Sequence, residues 1–253
     1  MDSSNTDSIQ IYLNSKYASS KPNGDTGDCI FQIPTLEMPD GYYVYISLQQ
    51  AVIPYSFYSI NARNNYFHVI DASGTEYAFT VEEGNYNINQ MMAALVAELG
   101  SEWTITYNSI TNKIRITNTA NIEFTVKADG TLNHALGFME DVDTPSVGAV
   151  LNSTHGINLN QIRAINVELA NMPCSTINTA QPLNQNIIST LPVTSQPYGM
   201  IFYENQNGFR VNMYCTYMNR IHIRLLDNLG QLIQMNNVNW QMTLQIDIVS
   251  FRE

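Results

Sequence analysis

The sequence predicts a mostly β protein, a β-sandwich interrupted by a small inserted unit that contains both helix and strands. Three observations lead to this fold class. Apolar and polar side chains alternate along much of the 253 residues, which is typical of strands that bury one face. Residues 88–99 have the period of a helix instead. The segments on either side of this helical region have the pattern of long strands, so we expect them to pair with each other.

The N-terminal segment contains a well-patterned strand and two kinds of turn signal. Val44 and Ile46 alternate with tyrosine and serine, which predicts a half-buried strand. This strand should end near Pro54, because proline has no backbone N–H to donate to a sheet. The pair Asn23-Gly24 predicts a two-residue hairpin turn, since both central positions of a type I′ turn need positive φ.

The inserted unit is predicted over residues 62–137. Its helix begins after Asn87, a good N-cap, and ends before Gly100. One helix face carries the apolar side chains Ile88, Met91, Met92, Leu95, Val96 and Leu99, which should pack on a small sheet. Short alternating or glycine-punctuated patterns predict the other elements: strands at 66–70, 77–81, 103–107, 114–116 and 122–126, and a helical turn at 131–137. Residues 138–160, with Pro145 and two glycines, are predicted to be the exit linker.

The C-terminal segment contains the longest alternating patterns. Strands are predicted at 165–169, 211–217, 221–225 and 240–248, with a hairpin turn at Asn207-Gly208. The last of these strands has one clean apolar face, which suits a sheet in a sandwich. Five side chains from these strands are predicted to lie in the sandwich core: Val167, Leu169, Trp240, Leu244 and Ile246.

Charge argues against two classes of partner. The chain has 11 Lys and Arg against 22 Asp and Glu, a formal charge of −11. Direct nucleic-acid binding needs basic residues to neutralise phosphates, and anionic membrane surfaces attract basic segments, so neither is expected. No apolar run reaches the roughly 18 residues of a membrane span, and the start of the sequence does not resemble a secretory signal.

Composition favours a protein that buries its surface in an assembly. Only 13% of residues are charged, while 44% are hydrophobic and 15 are tyrosine. The missing charge is replaced by neutral polar residues. Such a surface costs less to desolvate than a charged one, and tyrosine is enriched at protein–protein interfaces.

No pattern in the sequence predicts catalysis, a cofactor or a metal. The histidines His68, His134, His155 and His222 are widely scattered, without the close pairs common in metal sites. The odd set of Cys29, Cys174 and Cys215 lacks a CxxC motif, and idle thiols are expected. Residues 140–143 form an acidic loop without the spacing of a calcium loop. Trp103 alternates with Ile105, which favours the core over a sugar-binding position. We therefore expect no catalytic, cofactor-binding or metal-binding residues, and no enzyme.

Several segments spread along the chain carry a resemblance to a known family. They are IQIYLNS at 9–15, ISLQQAVIPYSFYSIN at 46–61, VEEGNYN at 81–87, YN at 107–108, TNKI at 111–114, ALGF at 135–138, IRLLD at 223–227, NN at 236–237 and NWQMTL at 239–244. Together they resemble the penton, or minor capsid, proteins of virophages and Polinton-like viruses. They are also similar to jelly-roll minor capsid proteins of larger DNA viruses. The resemblance spans residues 9–250, although the stretch 180–200 has no match in it.

This resemblance implies a jelly-roll domain built from residues 1–58 and 157–253, with 59–156 inserted as an outward-facing α+β domain. A jelly roll tolerates such an insertion because loop-closure entropy grows slowly with length. The alternative architecture is two consecutive β domains split near residue 150, since segment 46–54 is similar to 165–173.

The resemblance also implies a structural virion protein. Five copies would ring each five-fold vertex of an icosahedral capsid and contact the major capsid protein, after assembly inside the infected host cell. The alternative is a host-surface or glycan-binding spike or fibre protein. We expect the ring interface at residues 178–190 and at Pro197-Tyr198-Gly199-Met200. The polar arm at 1–8 is expected to be flexible, or ordered only against a shell partner.

Overall fold

The computed structural model describes residues 6–37, 42–176 and 186–250. The chain packs as two compact units. Unit 1 comprises Met1–Phe57 and Ile162–Glu253, and unit 2 comprises Tyr58–Gln161. The described residues form two α-helices, α1 (Ile88–Leu99) and α2 (Asn133–Leu136), and a 3-10 turn at Ser15–Tyr17. Their strands are β1 (Thr6–Asn14), β2 (Asp28–Glu37), β3 (Tyr42–Pro54), β4 (Tyr66–Asp71), β5 (Glu76–Thr80), β6 (Trp103–Asn108), β7 (Lys113–Asn118), β8 (Phe124–Val126), β9 (Thr144–Pro145), β10 (Val150–Asn152), β11 (Ala164–Leu169), β12 (Ile187–Pro192), β13 (Met200–Glu204), β14 (Val211–Asn212), β15 (Tyr217–Leu226) and β16 (Gln241–Ser250).

Unit 1 is a sandwich of two antiparallel sheets. One sheet has the strand order β1-β16-β3-β13, with the short β14 also paired to β3. The other has the order β12-β11-β15-β2. Strands that follow one another along the chain mostly cross from one sheet to the other, which is the arrangement of an eight-stranded jelly roll. The prediction of a mostly β, jelly-roll fold with a small helix-containing insertion is therefore confirmed.

The pairing of β1 with β16 brings together strands from opposite parts of the sequence. Ile9 lies opposite Ile246, and Leu13 lies opposite Met242. β16 pairs in turn with β3 on its other side. Because early strands pair with the last strand, the alternative of two consecutive β domains split near residue 150 is wrong.

The core of unit 1 consists of the inward faces of both sheets. The five predicted core residues are at most 1% exposed, as the alternating patterns indicate: Val167, Leu169, Trp240, Leu244 and Ile246. The Trp240 ring packs edge-on against Phe31, with ring centroids 5.9 Å apart. Its indole Nε1–H donates to the carbonyl oxygen of Thr26 over 2.6 Å. Its one polar group is thus satisfied inside the core, as a buried indole requires.

One buried carboxylate ties two distant loops of unit 1 together. Asp25 is buried, and its Oδ1 accepts hydrogen bonds from the backbone N–H groups of Gly27 (2.8 Å) and Met235 (2.7 Å). Its Oδ2 accepts a third from the N–H of Asn237 (2.8 Å). A Cβ on Gly27 would lie 2.1 Å from the carbonyl oxygen of Ile233, so only glycine allows this close approach. The loop before β2 and the loop before β16 are therefore fixed to each other.

Unit 2 contains two small antiparallel sheets, with strand orders β10-β7-β6 and β5-β4-β8-β9. The predicted hairpins are present as β4-β5 and β6-β7. Its core is a separate hydrophobic cluster that includes Phe67, Met91, Leu95, Trp103 and Leu136. Trp103 is buried there, as its alternation with Ile105 predicts.

Helix α1 has the predicted bounds because its two ends are encoded locally. The Asn87 side chain accepts from the backbone N–H of Gln90 (2.9 Å), and the Gln90 side chain accepts from the N–H of Asn87 (3.0 Å). This reciprocal pair is a capping box. Gly100 follows the last turn with a φ of 98°, a left-handed value that glycine adopts freely.

Helix α2 ends at a glycine that no other residue can replace without strain. Gly137 has a φ of 83°, and a Cβ there would lie 2.4 Å from the carbonyl oxygen of His155. Its own backbone N–H donates to the carbonyl oxygen of His134 (3.2 Å). The predicted helical turn closed by Gly137 is thus confirmed.

Two predictions about local elements are corrected by the structure. Residues 138–160 are not only an exit linker, because β9 and β10 pair with β8 and β7. The predicted strand at 211–217 is reduced to β14, after which Met213 and Tyr214 bridge to Cys174 and Pro173 instead. Alternation alone could not reveal these changes, since the partner segments are short and distant in sequence.

The two Asn-Gly pairs form turns but not hairpins. Residues 23–24 lie between β1 and β2, which belong to different sheets. Residues 207–208 lie between β13 and β14, which both pair with β3.

In the predicted arm at 1–8, residues 1–5 lie outside the described residues. Thr6–Ser8 are part of β1 and pair with the end of β16, so that part of the arm is ordered within the chain.

Candidate assembly surface

Strand β13 lies at the edge of its sheet. It pairs with β3 on one side, where Met200 lies opposite Pro54 and Phe202 lies opposite Val52. Within residues 6–37, 42–176 and 186–250, no strand pairs with its other side. An edge strand presents a row of N–H and C=O groups that can pair with another chain.

Large apolar side chains are exposed along this edge. Tyr198 is 90% exposed and Phe202 is 72% exposed, and Met200 and Phe209 are also exposed. We call these four residues, together with the free edge of β13, the β13 surface. Isolated exposed apolar residues are common, whereas several in one stretch of twelve residues mark an interaction site.

Tyr198 is held in a strained backbone conformation. Its φ is 68°, which is rare for a bulky residue. Two backbone hydrogen bonds fix the turn. The N–H of Tyr198 donates to the carbonyl oxygen of Tyr55 (3.0 Å), and the N–H of Gly199 donates to the carbonyl oxygen of Gln196 (2.9 Å). Such strain persists only where surrounding contacts enforce it, and it is often associated with function. Here its effect is to display an aromatic ring in solvent.

Phe209 is presented by a loop with its own internal bonds. The Asn205 side chain accepts from the N–H of Phe209 (2.9 Å) and donates to its carbonyl oxygen (2.7 Å). Next along the chain, the Arg210 guanidinium lies 4.2 Å from the centre of the Tyr45 ring and 3.6 Å from Asp247 Oδ2. The loop is therefore anchored to the outer face of the sheet, and Phe209 is held in place.

A groove of about 560 Å³ runs beside the β13 surface, between β12 and β13. Neutral amide, hydroxyl and aromatic groups line it, among them Asn166, Ser189, Tyr203 and Phe209. Glu204 is the one charged side chain among the described residues of its lining. The neighbourhood of β13 can thus be desolvated with little charge penalty, as an interface requires.

The predicted interface segments have mixed outcomes. Of residues 178–190, the part at 178–185 lies outside the described residues. Ile188 and Ser189 are buried in β12, and Ile188 belongs to the core of unit 1. The segment 197–200 leads into β13 and carries the exposed Tyr198. Phe202 and Phe209 were not predicted, because their exposure depends on β13 being an edge strand, which the sequence does not reveal.

The histidines near carboxylates have structural roles. In unit 1, His222 Nε2 lies 2.6 Å from Asp28 Oδ1. In unit 2, His68 Nδ1 lies 2.8 Å from Asp129 Oδ1, and Nε2 lies 3.0 Å from a Glu76 carboxylate oxygen. The His222–Asp28 and His68–Asp129 pairs join residues 194 and 61 positions apart, so spacing in the sequence gave no sign of them. The hydrogen bonds of His222 Nε2 and His68 Nδ1 give these partly buried polar groups a partner.

The cysteines are poor nucleophiles in this environment. Burial raises the pKa of Cys29 to about 12 and that of Cys174 to about 11. Burial also raises the pKa of Cys215. The thiolate is the reactive and metal-binding form, so these thiols remain protonated and unreactive at neutral pH.

The acidic loop at 140–143 is engaged by a lysine. Lys127 donates a hydrogen bond to Asp143, and the backbone N–H of Ala128 donates a second (2.9 Å). These contacts lower the pKa of Asp143, and the hydrogen bond from Lys127 has the largest effect.

Throughout the described parts of the chain, no group of three or more His, Cys, Asp or Glu is arranged to hold a metal ion. No helix there is both long and apolar enough to span a membrane.

Comparison with solved structures shows what this fold is similar to. No protein-family model and no curated protein matches the sequence. Among solved structures, the chain is similar to the crystal structure of the mavirus penton protein, with a TM-score of 0.50 and 12% sequence identity. The match covers 96% of this chain and 99% of that chain. The two chains share a fold. The fold derived from the strand order is thus similar to that of the mavirus penton protein over nearly its full length.

Proposed function

We propose that this protein is a structural virion protein, the penton subunit of an icosahedral capsid. Five copies form a ring at each five-fold vertex and contact the major capsid protein. The proposal rests mainly on the full-length likeness of fold to the mavirus penton protein. Fold alone does not determine function, so the surface must also suit a subunit.

The β13 surface supplies that support. An uncovered edge strand with exposed aromatic residues favours uncontrolled association, which natural monomers avoid. A neighbouring copy that covers Tyr198, Phe202 and Phe209 removes this hazard. A five-fold ring uses a heterologous contact, in which one patch meets a different patch and the series closes after five copies. The β13 surface is one patch in this proposal.

Charge sets the conditions for assembly. Each chain carries −11, so a ring of five carries about −55. Salt shortens the range of this repulsion, to a Debye length of about 3 Å at 1 M. The ring is therefore expected to form more readily at high salt.

We propose further that residues 59–156 are a separate domain displayed on the outside of the vertex. The separate core of unit 2 supports the first part of this proposal, a separate domain.

Phe202→Ser is expected to break the ring while leaving the fold intact. Truncating a central aromatic at an interface costs about 2 kcal/mol or more, roughly 30-fold in each subunit contact. Phe202 is exposed in the single chain, so the melting temperature of the monomer should change little. Sedimentation velocity at high salt measures the loss of the assembled species.

Tyr17→Ser is the matched control, because Tyr17 is an equally exposed aromatic residue far from β13 in sequence. This variant should assemble like the unchanged protein. If Phe202→Ser assembled as well as Tyr17→Ser, the β13 surface would not be part of the ring interface.

A further inference from the structure

The outer face of the β10-β7-β6 sheet in unit 2 is polar and carries two cations. Its inner face packs Ile105, Ile114 and Ile116 into the core. Apart from Val150, the outer side chains of the three strands are hydroxyls, amides and cations: Thr104, Thr106, Asn108, Lys113, Arg115, Thr117 and Asn152. In the pairing register, Arg115 lies between Thr106 and Asn152. This face therefore places one cation among neutral hydrogen-bonding groups.

Neither cation is neutralised by a carboxylate. Lys113 Nζ donates to the backbone carbonyl oxygen of Thr154 (2.8 Å), a neutral group. Among the described residues, no Asp or Glu lies within ion-pair distance of Lys113 or Arg115, although Arg224, Arg210 and Lys127 all have such partners. Lys16, Lys21 and Arg220 have no such partner among the described residues either, but Lys113 and Arg115 stand two residues apart on one strand, which places two unneutralised cations on one face.

A cleft of about 590 Å³ lies at this end of the sheet. Thr106, Asn108, Lys113, Arg115 and Asn152 line it together with the β6–β7 turn. This volume is within the range of small-molecule sites, about 300–1,000 Å³. The cleft is a concave surface and not merely a charged patch.

The walls of the cleft are fixed by hydrogen bonds. Asn108 Oδ1 accepts from the N–H groups of Ile110 (2.9 Å) and Thr111 (3.2 Å), which sets the turn. Tyr107 Oη donates to Asn112 Oδ1 (2.9 Å), and Asn112 Nδ2 donates to the carbonyl oxygen of Ile157 (3.1 Å). A preformed site loses less entropy on binding.

We propose that this cleft binds an acidic saccharide, a sugar that carries a carboxylate or sulfate group. The guanidinium of Arg115 can donate two parallel N–H bonds to two oxygens of a carboxylate or a sulfate, and Lys113 adds a second positive charge. The hydroxyls and amides around them are suited to the hydroxyl groups of a sugar. The proposal goes beyond a capsid role and does not depend on the number of subunits in the ring.

Isothermal titration calorimetry on the full-length protein tests this proposal with three probes. Sialyllactose carries a carboxylate, a heparin disaccharide carries sulfate groups, and lactose is the neutral control. At least one acidic probe should bind, and lactose should bind at least about tenfold more weakly. Binding of sialyllactose alone identifies the carboxylate, and binding of the heparin disaccharide alone identifies the sulfate.

Arg115→Gln should lower the affinity for the acidic probe at least about tenfold, since the bidentate contact is lost. Lys16→Gln removes an equal charge from unit 1 and should leave binding unchanged. The melting temperature of Arg115→Gln should stay the same, because Arg115 is exposed. The proposal is overturned if neither acidic probe binds, if lactose binds as tightly as the acidic probes, or if Arg115→Gln binds an acidic probe as tightly as the unchanged protein does.

Discussion

Asp25→Ala is expected to destabilise unit 1 by about 2–6 kcal/mol, because each buried N–H group left without an acceptor costs about 1–3 kcal/mol and two of its donors, Gly27 and Met235, are buried. The change leaves three backbone N–H groups without an acceptor: those of Gly27, Met235 and Asn237. Two of them belong to the loop before β16, so this loop should loosen as well. Urea unfolding followed by far-UV circular dichroism measures the loss of stability.

Two variants make this result specific. Asp25→Asn keeps one oxygen acceptor. Its free energy of unfolding should lie between those of the alanine variant and the unchanged protein. Asp7→Ala removes an exposed carboxylate from the same unit and should change stability by less than about 0.5 kcal/mol. Equal stability of the Asp25 and Asp7 alanine variants would contradict the role given to the buried carboxylate.

Trp240→Ala is expected to cost about 3–5 kcal/mol, because it removes a fully buried aromatic side chain and leaves a cavity. The packing against Phe31 and the hydrogen bond to Thr26 are lost together. The variant keeps Trp103, whose fluorescence then reports on unit 2 alone. Thermal unfolding should show an early transition by far-UV circular dichroism and a later one by Trp103 fluorescence.

Val238→Ala is the control for this variant, since Val238 is partly exposed two residues away. Its free energy of unfolding should lie within about 0.5 kcal/mol of that of the unchanged protein. A Trp240→Ala protein with an unchanged melting temperature would contradict the assignment of Trp240 to the core. A single transition seen by both probes would argue against the separate folding of residues 59–156.

Local signals explain which elements could be predicted. Helix α1 was predicted to the residue, because its period, its Asn87 cap and the following Gly100 all lie within fifteen positions. The long strands β3, β15 and β16 were predicted because each buries one face over many residues. Trp240 was assigned to the core on the same pattern.

Features that depend on distant partners could not be predicted. β9 and β10 have two and three residues, too few for a period, and exist only because β8 and β7 lie beside them. The Asp25 contacts join residues about 210 positions apart. Both Asn-Gly pairs make turns, yet the turn residues alone do not say which strands pair around them.

The candidate assembly surface was only partly predictable for the same reason. Tyr198 lies in a segment that composition singled out, whereas Phe202 and Phe209 are notable only because β13 is an edge strand. The cleft in unit 2 depends on the register that places Arg115 between Thr106 and Asn152. In the sequence, Lys113 and Arg115 are simply two of eleven scattered cations.

The number of subunits in the assembled protein tests the penton proposal most directly. Native mass spectrometry of the full-length protein, desalted from high salt and with or without its major capsid protein, gives that number. Five chains of 28.5 kDa make a species of about 143 kDa, which is the expected result. A trimer of about 86 kDa would support the spike or fibre alternative instead. A protein that stays monomeric under all these conditions, and does not join its major capsid protein, would contradict the penton assignment.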